Sequence, residues 1–264
     1  MTANTAKKQP AFDLSGRIVL VTGASSGLGA HFAQIYAAAG ARVVLAARRV
    51  DRLATGVEAI QGAGGHALAI EMDVESEASV IAAYNAIEAT FGAAPDSVVA
   101  NAGINLEGMA VDLDMAAFDQ IMNVNVRGVF ITAREGARRM IAAGSTKTGA
   151  GRVILIASLG ATKVLPGLVT YCTSKAAVAM MGKAMAREWA NKGISVNTLC
   201  PGYVETELNG EWLNSEGGQR MIKGFPRRRL MRETDLDAAA LWLASDASQF
   251  VTGGTFGIDD GQGL

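Results

Sequence analysis

Short apolar runs alternate with helical patterns along this chain. That alternation predicts an α/β fold with one doubly wound, parallel, seven-stranded sheet and helices on both faces. Two further observations agree with it. The first apolar run leads straight into a Gly-rich turn that opens a helix, and no repeat, low-complexity segment or Pro- or Ser-rich linker divides the 264 residues. At roughly 150 residues per domain two domains would fit, but α/β chains of this length are often one.

The elements follow in order. Ile18-Val19-Leu20-Val21 is an unbroken apolar run, as a strand buried on both faces requires. Leu28, Phe32, Ile35, Tyr36 and Ala39 then fall at helical spacing, with Gly40 as the stop. Further strands are expected at Val43–Ala46, Ala67–Ile70, Ser97–Ala100, Val153–Ile156 and Ile194–Leu199, with a weak seventh at Phe256–Ile258. Helical patterns separate them at about 51–62, 76–91, 114–143, 171–192 and 234–245, with Asp114 and Thr234 as expected N-caps. Residues 1–12 read as a mobile tail. The stretch 201–232, which holds Trp212 and Phe225, reads as a long irregular loop of the kind that forms lids.

Composition excludes several classes. Apolar residues make up 50% and charged residues 19%, so a large core is available. With 24 basic and 25 acidic residues the net charge is −1, which leaves no electrostatic footprint for nucleic acid or an anionic membrane. Lys7 and Lys8 have no apolar run behind them, and no 18-residue apolar stretch exists, so neither a signal peptide nor a membrane span is expected. Two cysteines, Cys172 and Cys200, and two histidines suit a reducing cytoplasm and no metal site.

In a sheet of this kind, ligands bind beyond the carboxyl ends of the strands, where strand order reverses. After the first strand comes Thr22-Gly23-Ala24-Ser25-Ser26-Gly27-Leu28-Gly29. Glycines there let backbone approach a pyrophosphate, whose charge sits at the helix N-terminus. The spacing is Thr-Gly-x-x-x-Gly-x-Gly rather than G-x-G-x-x-G, since Phe32 occupies the third position. The end of the second strand selects the nucleotide. An acid there binds ribose hydroxyls of NAD, whereas an Arg suits the 2′-phosphate of NADP. The acidic position is Ala47 here and Arg48 follows, so NADP(H) is favoured over NAD(H). Ser26 weighs the other way, because a basic residue there would give the phosphate a second partner. Asp73 and Val74, at the end of the third strand, suit an adenine amino group and ring, or else Asp73 caps the next helix. Asn101-Ala102-Gly103 after the fourth strand lets a ribose lie close to backbone.

Tyr171 and Lys175 are four residues apart in a helical segment and so share one face. Ser158 ends the fifth strand 13 residues before Tyr171. An ammonium beside a phenol stabilises tyrosinate and lowers its pKa, and a serine hydroxyl polarises a substrate oxygen. A Tyr-x-x-x-Lys pair alone is also a common solvated helix pair. Its weight comes from the phosphate loop earlier in the same chain.

With TGASSGLG at 22–29, Asp73-Val74, NAG at 101–103, Asn125 in NVRG, Ser158, YCTSK at 171–175 and PGYVET at 201–206, the chain resembles the compact branch of the short-chain dehydrogenase/reductase family. The likeness runs from about Leu14 to Gly261. It implies a single Rossmann-type catalytic domain over 13–264, with a substrate lid at about 201–232. It implies that Tyr171 is the acid in reduction and the base in oxidation, that Lys175 holds the nicotinamide ribose and lowers the Tyr171 pKa, and that Ser158 positions the substrate oxygen. By the same resemblance Asn125 holds a water that links Lys175 to solvent. Gly23, Ser25, Ser26, Gly27, Leu28, Gly29, Arg48, Asp73, Val74, Asn101, Ala102 and Gly103 would bind cofactor. So would Tyr171, Lys175, Pro201, Gly202, Val204 and Thr206, with Thr206 on the carboxamide. Ala100 departs from the Asn often found before NAG, and Asp259-Asp260-Gly261 is a variant ending that could alter subunit contacts.

Leu159, Leu165, Tyr203, Trp212 and Phe225 should border the substrate pocket and suggest an apolar or aromatic carbonyl or secondary alcohol. Alternatives are an NAD-dependent secondary alcohol dehydrogenase, a 3-oxoacyl carrier-protein reductase, and a nucleotide-sensing binding protein on the same fold. The resemblance also implies a homotetramer built on helix pairing. Arg227-Arg228-Arg229 reads as a solvated charge run, His31 and His66 as surface or satisfied histidines, and Met180, Met181 and Met185 as helix packing or subunit interface.

Overall fold

The computed structural model describes residues 12–205 and 213–264. Seven parallel strands form one sheet in the order β3-β2-β1-β4-β5-β6-β7. They are β1 (Ile18–Thr22), β2 (Arg42–Ala47), β3 (His66–Glu71), β4 (Ser97–Ala100), β5 (Gly151–Ile156), β6 (Ile194–Pro201) and β7 (Thr255–Ile258). The order reverses between β1 and β4, where Val19 pairs with Ser97 and Val21 with Val99. Strand side chains alternate between two cores. Ile18 and Leu20 pack under α3 (Glu77–Phe91), α5 (Val129–Ala142) and α7 (Val169–Trp189). Val19 and Val21 pack under α1 (Gly27–Ala38), α2 (Val50–Gly62) and α9 (Asp237–Ala244).

Local chemistry explains where the helices start. Asp114 caps α4 (Met115–Met122) by accepting from Ala116 N at 3.1 Å, as expected. Ser76, not Asp73, caps α3. Thr234 caps nothing. It lies inside a 3-10 turn at Glu233–Leu236, and α9 begins only at Asp237. The expected continuous helix over 114–143 is broken by a π turn at Asn123–Gly128, which inserts a wide turn between α4 and α5. A four-residue helical turn, α6 (Ser145–Thr148), precedes β5.

The stretch 201–232 is not wholly irregular. It contains α8 (Glu216–Gly224), capped by Ser215, which accepts from Gly218 N at 3.2 Å. Glycines at 217 and 218 hide this helix from a propensity reading, but the cap and the Glu216–Arg220 pair at 2.9 Å support it. Leu213, Ile222 and Phe225 form its own small core.

Among the described residues no helix is long and apolar enough to cross a membrane.

Candidate active site

The carboxyl ends of β1 and β4 are tied together by side chains. Thr22 Oγ1 accepts from the backbone N–H groups of Asn101 and Ala102, each at 3.1 Å, and Asn101 Nδ2 donates to Thr22 O at 2.9 Å. Glycine is required at two points of the adjoining loop. Gly23 has φ +67°, and a Cβ there would lie 2.8 Å from Ala102 Cα. A Cβ on Gly29 would lie 2.3 Å from Gly23 O. The loop therefore brings bare backbone against the start of α1. Ser26 is the N-cap residue but makes no side-chain cap bond, and no acid sits in the first turn. Partial positive charge is left for an anion at that helix end.

At the neighbouring corner, Ala47 is buried and Arg48 is exposed, with Nη1 3.9 Å from Glu75 Oε2. Arg49 Nη2 donates to Ser25 Oγ at 3.4 Å, so a second guanidinium reaches the Gly-rich loop. Asp73 is half-buried. Its Oδ1 accepts from Glu75 N at 3.1 Å, and its own N–H donates to Ser79 Oγ at 3.0 Å. Val74 is buried against Gly128, where a Cβ would lie 2.8 Å from Val74 Cγ2.

Ser158 follows β5, its Oγ accepts from Gly160 N at 3.1 Å, and its hydroxyl pulls the Tyr171 pKa down. Lys175 Nζ lies 5.6 Å from the centre of the Tyr171 ring and donates to Ile156 O at 3.0 Å. Asn125 sits in the π turn, fully buried. Its Oδ1 accepts from Ile104 N at 2.8 Å, and its Nδ2 donates to Ile104 O at 2.9 Å and Ser174 Oγ at 3.1 Å. Ser174 Oγ in turn donates to Tyr171 O at 2.7 Å. A Cβ on Gly103 would fall 3.3 Å from Asn125 Oδ1 and 3.4 Å from Lys175 Nζ, so the glycine keeps the space between them clear.

Burial sets the protonation of this group. It pushes the Tyr171 phenol up, with the Ser158 hydroxyl pulling the other way. It pushes the Lys175 ammonium down from 10.5 to about 8. The expected lowering of the Tyr171 pKa by Lys175 is therefore not found. Desolvation is the largest cause of the tyrosine shift, and the lysine is not among its causes.

Leu159 is buried, and Leu165 faces Tyr171 across Gly160, where a Cβ would lie 3.2 Å from Leu165 Cδ1 and 3.5 Å from Tyr171 Cε1. Tyr203 stacks at 5.7 Å on Phe225. Phe225 itself belongs to the small core of the α8 segment, so its apolar surface serves that packing rather than an open pocket wall. Pro201 ends β6, Gly202 N donates to Ile258 O at 3.0 Å, and Val204 bridges to Met231. Thr206 and Trp212 lie outside the described residues.

Among the other residues, His31 Nε2 is 2.6 Å from Asp237 Oδ1. Arg229 Nε donates to Asp260 Oδ2 at 2.6 Å and Arg227 lies 3.3 Å from the same carboxylate, so two of the three arginines are paired rather than merely solvated. Met185 is buried and Met180 exposed. A hollow of about 590 Å³ at the opposite, amino ends of the strands is lined by Arg17, Asp96, Arg152 and Asp246. Both arginines there already contact Asp246 and backbone carbonyls, so neither guanidinium of that hollow is unpartnered.

Three contributors are not singled out by sequence reasoning: Thr22, Ser174 and Ile104. Thr22 and Ser174 lie inside quoted motifs, which is a usable signal. Ile104 acts through its backbone and leaves none.

A glycine-rich loop at the strand-order reversal, beside a Ser-Tyr-Lys group whose lysine is buried, matches an oxidoreductase on a doubly wound sheet. The match to the short chain dehydrogenase family model spans residues 17–217, and the chain belongs to that family of NAD(P)-dependent enzymes. It is 36% identical over 254 residues to D-threitol dehydrogenase of Mycolicibacterium smegmatis, covering 95% of this chain and 94% of that protein. It is 35% identical to 3beta-hydroxysteroid dehydrogenase 1 of Eggerthella lenta, covering 96% and 95%. Among solved structures, a gluconate 5-dehydrogenase from Burkholderia cenocepacia in complex with NADP and tartrate superposes with a TM-score of 0.89 at 36% identity, covering 95% and 96% of the two chains. A short-chain type dehydrogenase/reductase from Mycobacterium marinum gives 0.88 at 38% identity, covering 95% and 97%.

Proposed function

We propose that this protein transfers a hydride between NADP(H) and a carbonyl or secondary alcohol carrying an apolar or aromatic substituent. The observation that carries the reading is Lys175 Nζ 5.6 Å from the centre of the Tyr171 ring, with Ser158 acting on the same phenol, beside a glycine loop open to an anion. The nicotinamide, when bound, supplies or takes the hydride. Gly23, Ser25, Ser26, Gly27, Leu28 and Gly29 would hold the pyrophosphate. Asp73, Val74, Asn101, Ala102 and Gly103 would hold the adenosine and ribose side, and Pro201, Gly202, Val204 and Thr206 the nicotinamide side.

In reduction, the Tyr171 phenol donates its proton to the substrate oxygen while the Ser158 hydroxyl donates a hydrogen bond to the same atom. A tyrosine held neutral by burial suits that direction. In oxidation the sequence reverses, and Lys175 stabilises the phenolate while it carries its proton. Asn125 and the clear space at Gly103 would serve the proton's path between Lys175 and solvent.

Arg48 would read the 2′-phosphate, and Arg49, held at Ser25, supplies the second cation that Ser26 does not. Leu159, Leu165 and Tyr203 would form the substrate wall, with Trp212 and Phe225 in the covering segment. A second reading, NAD-linked oxidation of a polyol, takes its polyol from the name of D-threitol dehydrogenase, while the gluconate 5-dehydrogenase structure holds NADP. Residues 13–264 would act as one catalytic domain with a lid at 201–232. Four copies would assemble in the cytoplasm through outward apolar groups such as Phe130, Ile141 and Met180.

The test follows nicotinamide absorbance with apolar, aromatic and acyl-thioester ketones and with polyols, using each cofactor in parallel. Faster turnover of ketones with NADPH is expected, and Arg48→Asp should weaken NADPH at least tenfold more than NADH. Equal loss for both cofactors would remove Arg48 as the selector, and turnover of polyols with NAD alone would establish the second reading.

A further inference from the structure

We infer that Gln262 is a positioning residue for the substrate side of the cleft: a buried clasp that fixes both ends of the excursion from Tyr203 to Met231. This rests on the site proposed above. The segment Asp259–Leu264 follows β7 and runs back against the loop that carries Leu159 and Lys163. Within it the Gln262 side chain is 1% exposed. Its Oε1 accepts from Tyr203 N at 2.6 Å, and its Nε2 donates to Tyr203 O and to Arg229 O, each at 3.4 Å. Every polar atom of the amide is thus spent on the backbone of the two places where the excursion leaves and rejoins the fold. The same base is closed by backbone bonds, Met231 N to Tyr203 O at 3.1 Å and Glu205 N to Met231 O at 3.2 Å.

The surroundings are built around this amide. A Cβ on Gly202 would lie 2.5 Å from Gln262 Oε1, so glycine there is the condition for the clasp. Asp259 holds the turn that presents it, with Oδ1 accepting from Gly261 N and Oδ2 from Gly263 N, each at 3.0 Å. Lys163, on the loop that carries Ser158 and Leu165, donates to Gln262 O and, at 3.2 Å, to Leu264 O. A Cβ on Gly263 would lie 3.0 Å from Leu159 Cδ1. The clasp therefore joins the loop after β5, the loop after β6 and the return of the excursion, and the first two carry Leu159, Leu165 and Tyr203, proposed above as the substrate wall. An apolar side chain of the same size would fill the space but would not fix the separations. A buried amide satisfied at every atom fixes them through direction.

Gln262→Met keeps length and volume and removes all three hydrogen bonds. Hydrogen exchange should then be at least tenfold faster at the amides of Tyr203, Glu205 and Met231 and unchanged in β1, β4 and β5. NADPH affinity, read by fluorescence, should stay within twofold. KM for the fastest ketone of the panel should rise at least tenfold, with kcat within about threefold. Gln262→Glu keeps the acceptor for Tyr203 N but donates to neither carbonyl until protonated, so its KM should fall back toward the wild-type value between pH 8 and pH 6. Unchanged exchange at the three amides overturns the clasp. So does acceleration spread through the sheet, which is the mark of a packing residue, or a loss in kcat at constant KM. If the wild type turns over no ketone, that result counts against the proposed substrate, and exchange alone decides the clasp.

Discussion

Lys175 carries the sharpest conflict between stability and chemistry in this molecule. Its ammonium is buried and its pKa falls from 10.5 to about 8, whereas an unfolded chain would keep the higher value. Between those values the unfolded state binds more protons, so this group makes the fold more stable as pH rises from 8 to 10.5. Below pH 8 the cost of burying the charge is fully present, on the order of 3 kcal/mol. Loss of the bond to Ile156 O offsets about 1 kcal/mol of any gain from removing it. Lys175→Met should therefore melt several degrees higher at pH 7, by calorimetry, with the gain shrinking toward pH 10, and should lose activity. A variant less stable at pH 7 would contradict this account of the lysine. Tyr171, Lys175 and Ser158 are legible in the sequence because helical spacing and strand ends place them with no knowledge of packing. The direction of the Tyr171 shift is not legible, because it depends on how much water the folded loops exclude.

At the scale of elements, close approach at Gly29 holds the phosphate loop together. A Cβ there would lie 2.3 Å from Gly23 O and 2.6 Å from Asn101 Nδ2, both fixed by the Thr22 cross-link. Gly29→Ala should cost about 1–3 kcal/mol, by denaturant titration, and weaken NADPH binding more than tenfold. A stable variant with full affinity would show that α1 can shift without opening the site. The strands are legible because each is a short apolar run flanked by turns, and only their ends move by one or two residues. The π turn at Asn123–Gly128 is not, since its apolar periodicity continues across it. What fixes it is long-range: Asn125 bonded in both directions to Ile104 and also to Ser174. The α8 helix is missed for the opposite reason. Its glycines suggest a loop, and only its cap and its pairing with Leu213 and Phe225 make it a helix.

At the scale of the whole molecule, the strand order β3-β2-β1-β4-β5-β6-β7 puts the reversal between β1 and β4, with β5 next to it. One edge of the cleft therefore comes from the glycine loop and the other from Ser158 and α7. That convergence brings widely separated motifs together; the alternation of strands and helices predicts the parallel sheet, and the strand order comes from the structure. The walls proposed for substrate are less legible, because they come from separate loops, and no periodicity describes them. If four copies of the 27.3 kDa chain assemble, sedimentation should give about 110 kDa. A 27 kDa species at micromolar concentration would contradict the tetramer while leaving the cleft intact.

The central claim is that Tyr171 moves the proton. The most direct measurement is single-turnover reduction of the best ketone by Tyr171→Phe, alongside its NADPH affinity and melting temperature. The account predicts wild-type affinity within about threefold, an unchanged fold, and a rate lower by roughly 10²–10⁴. A rate within tenfold of wild type, with cofactor bound, would contradict it.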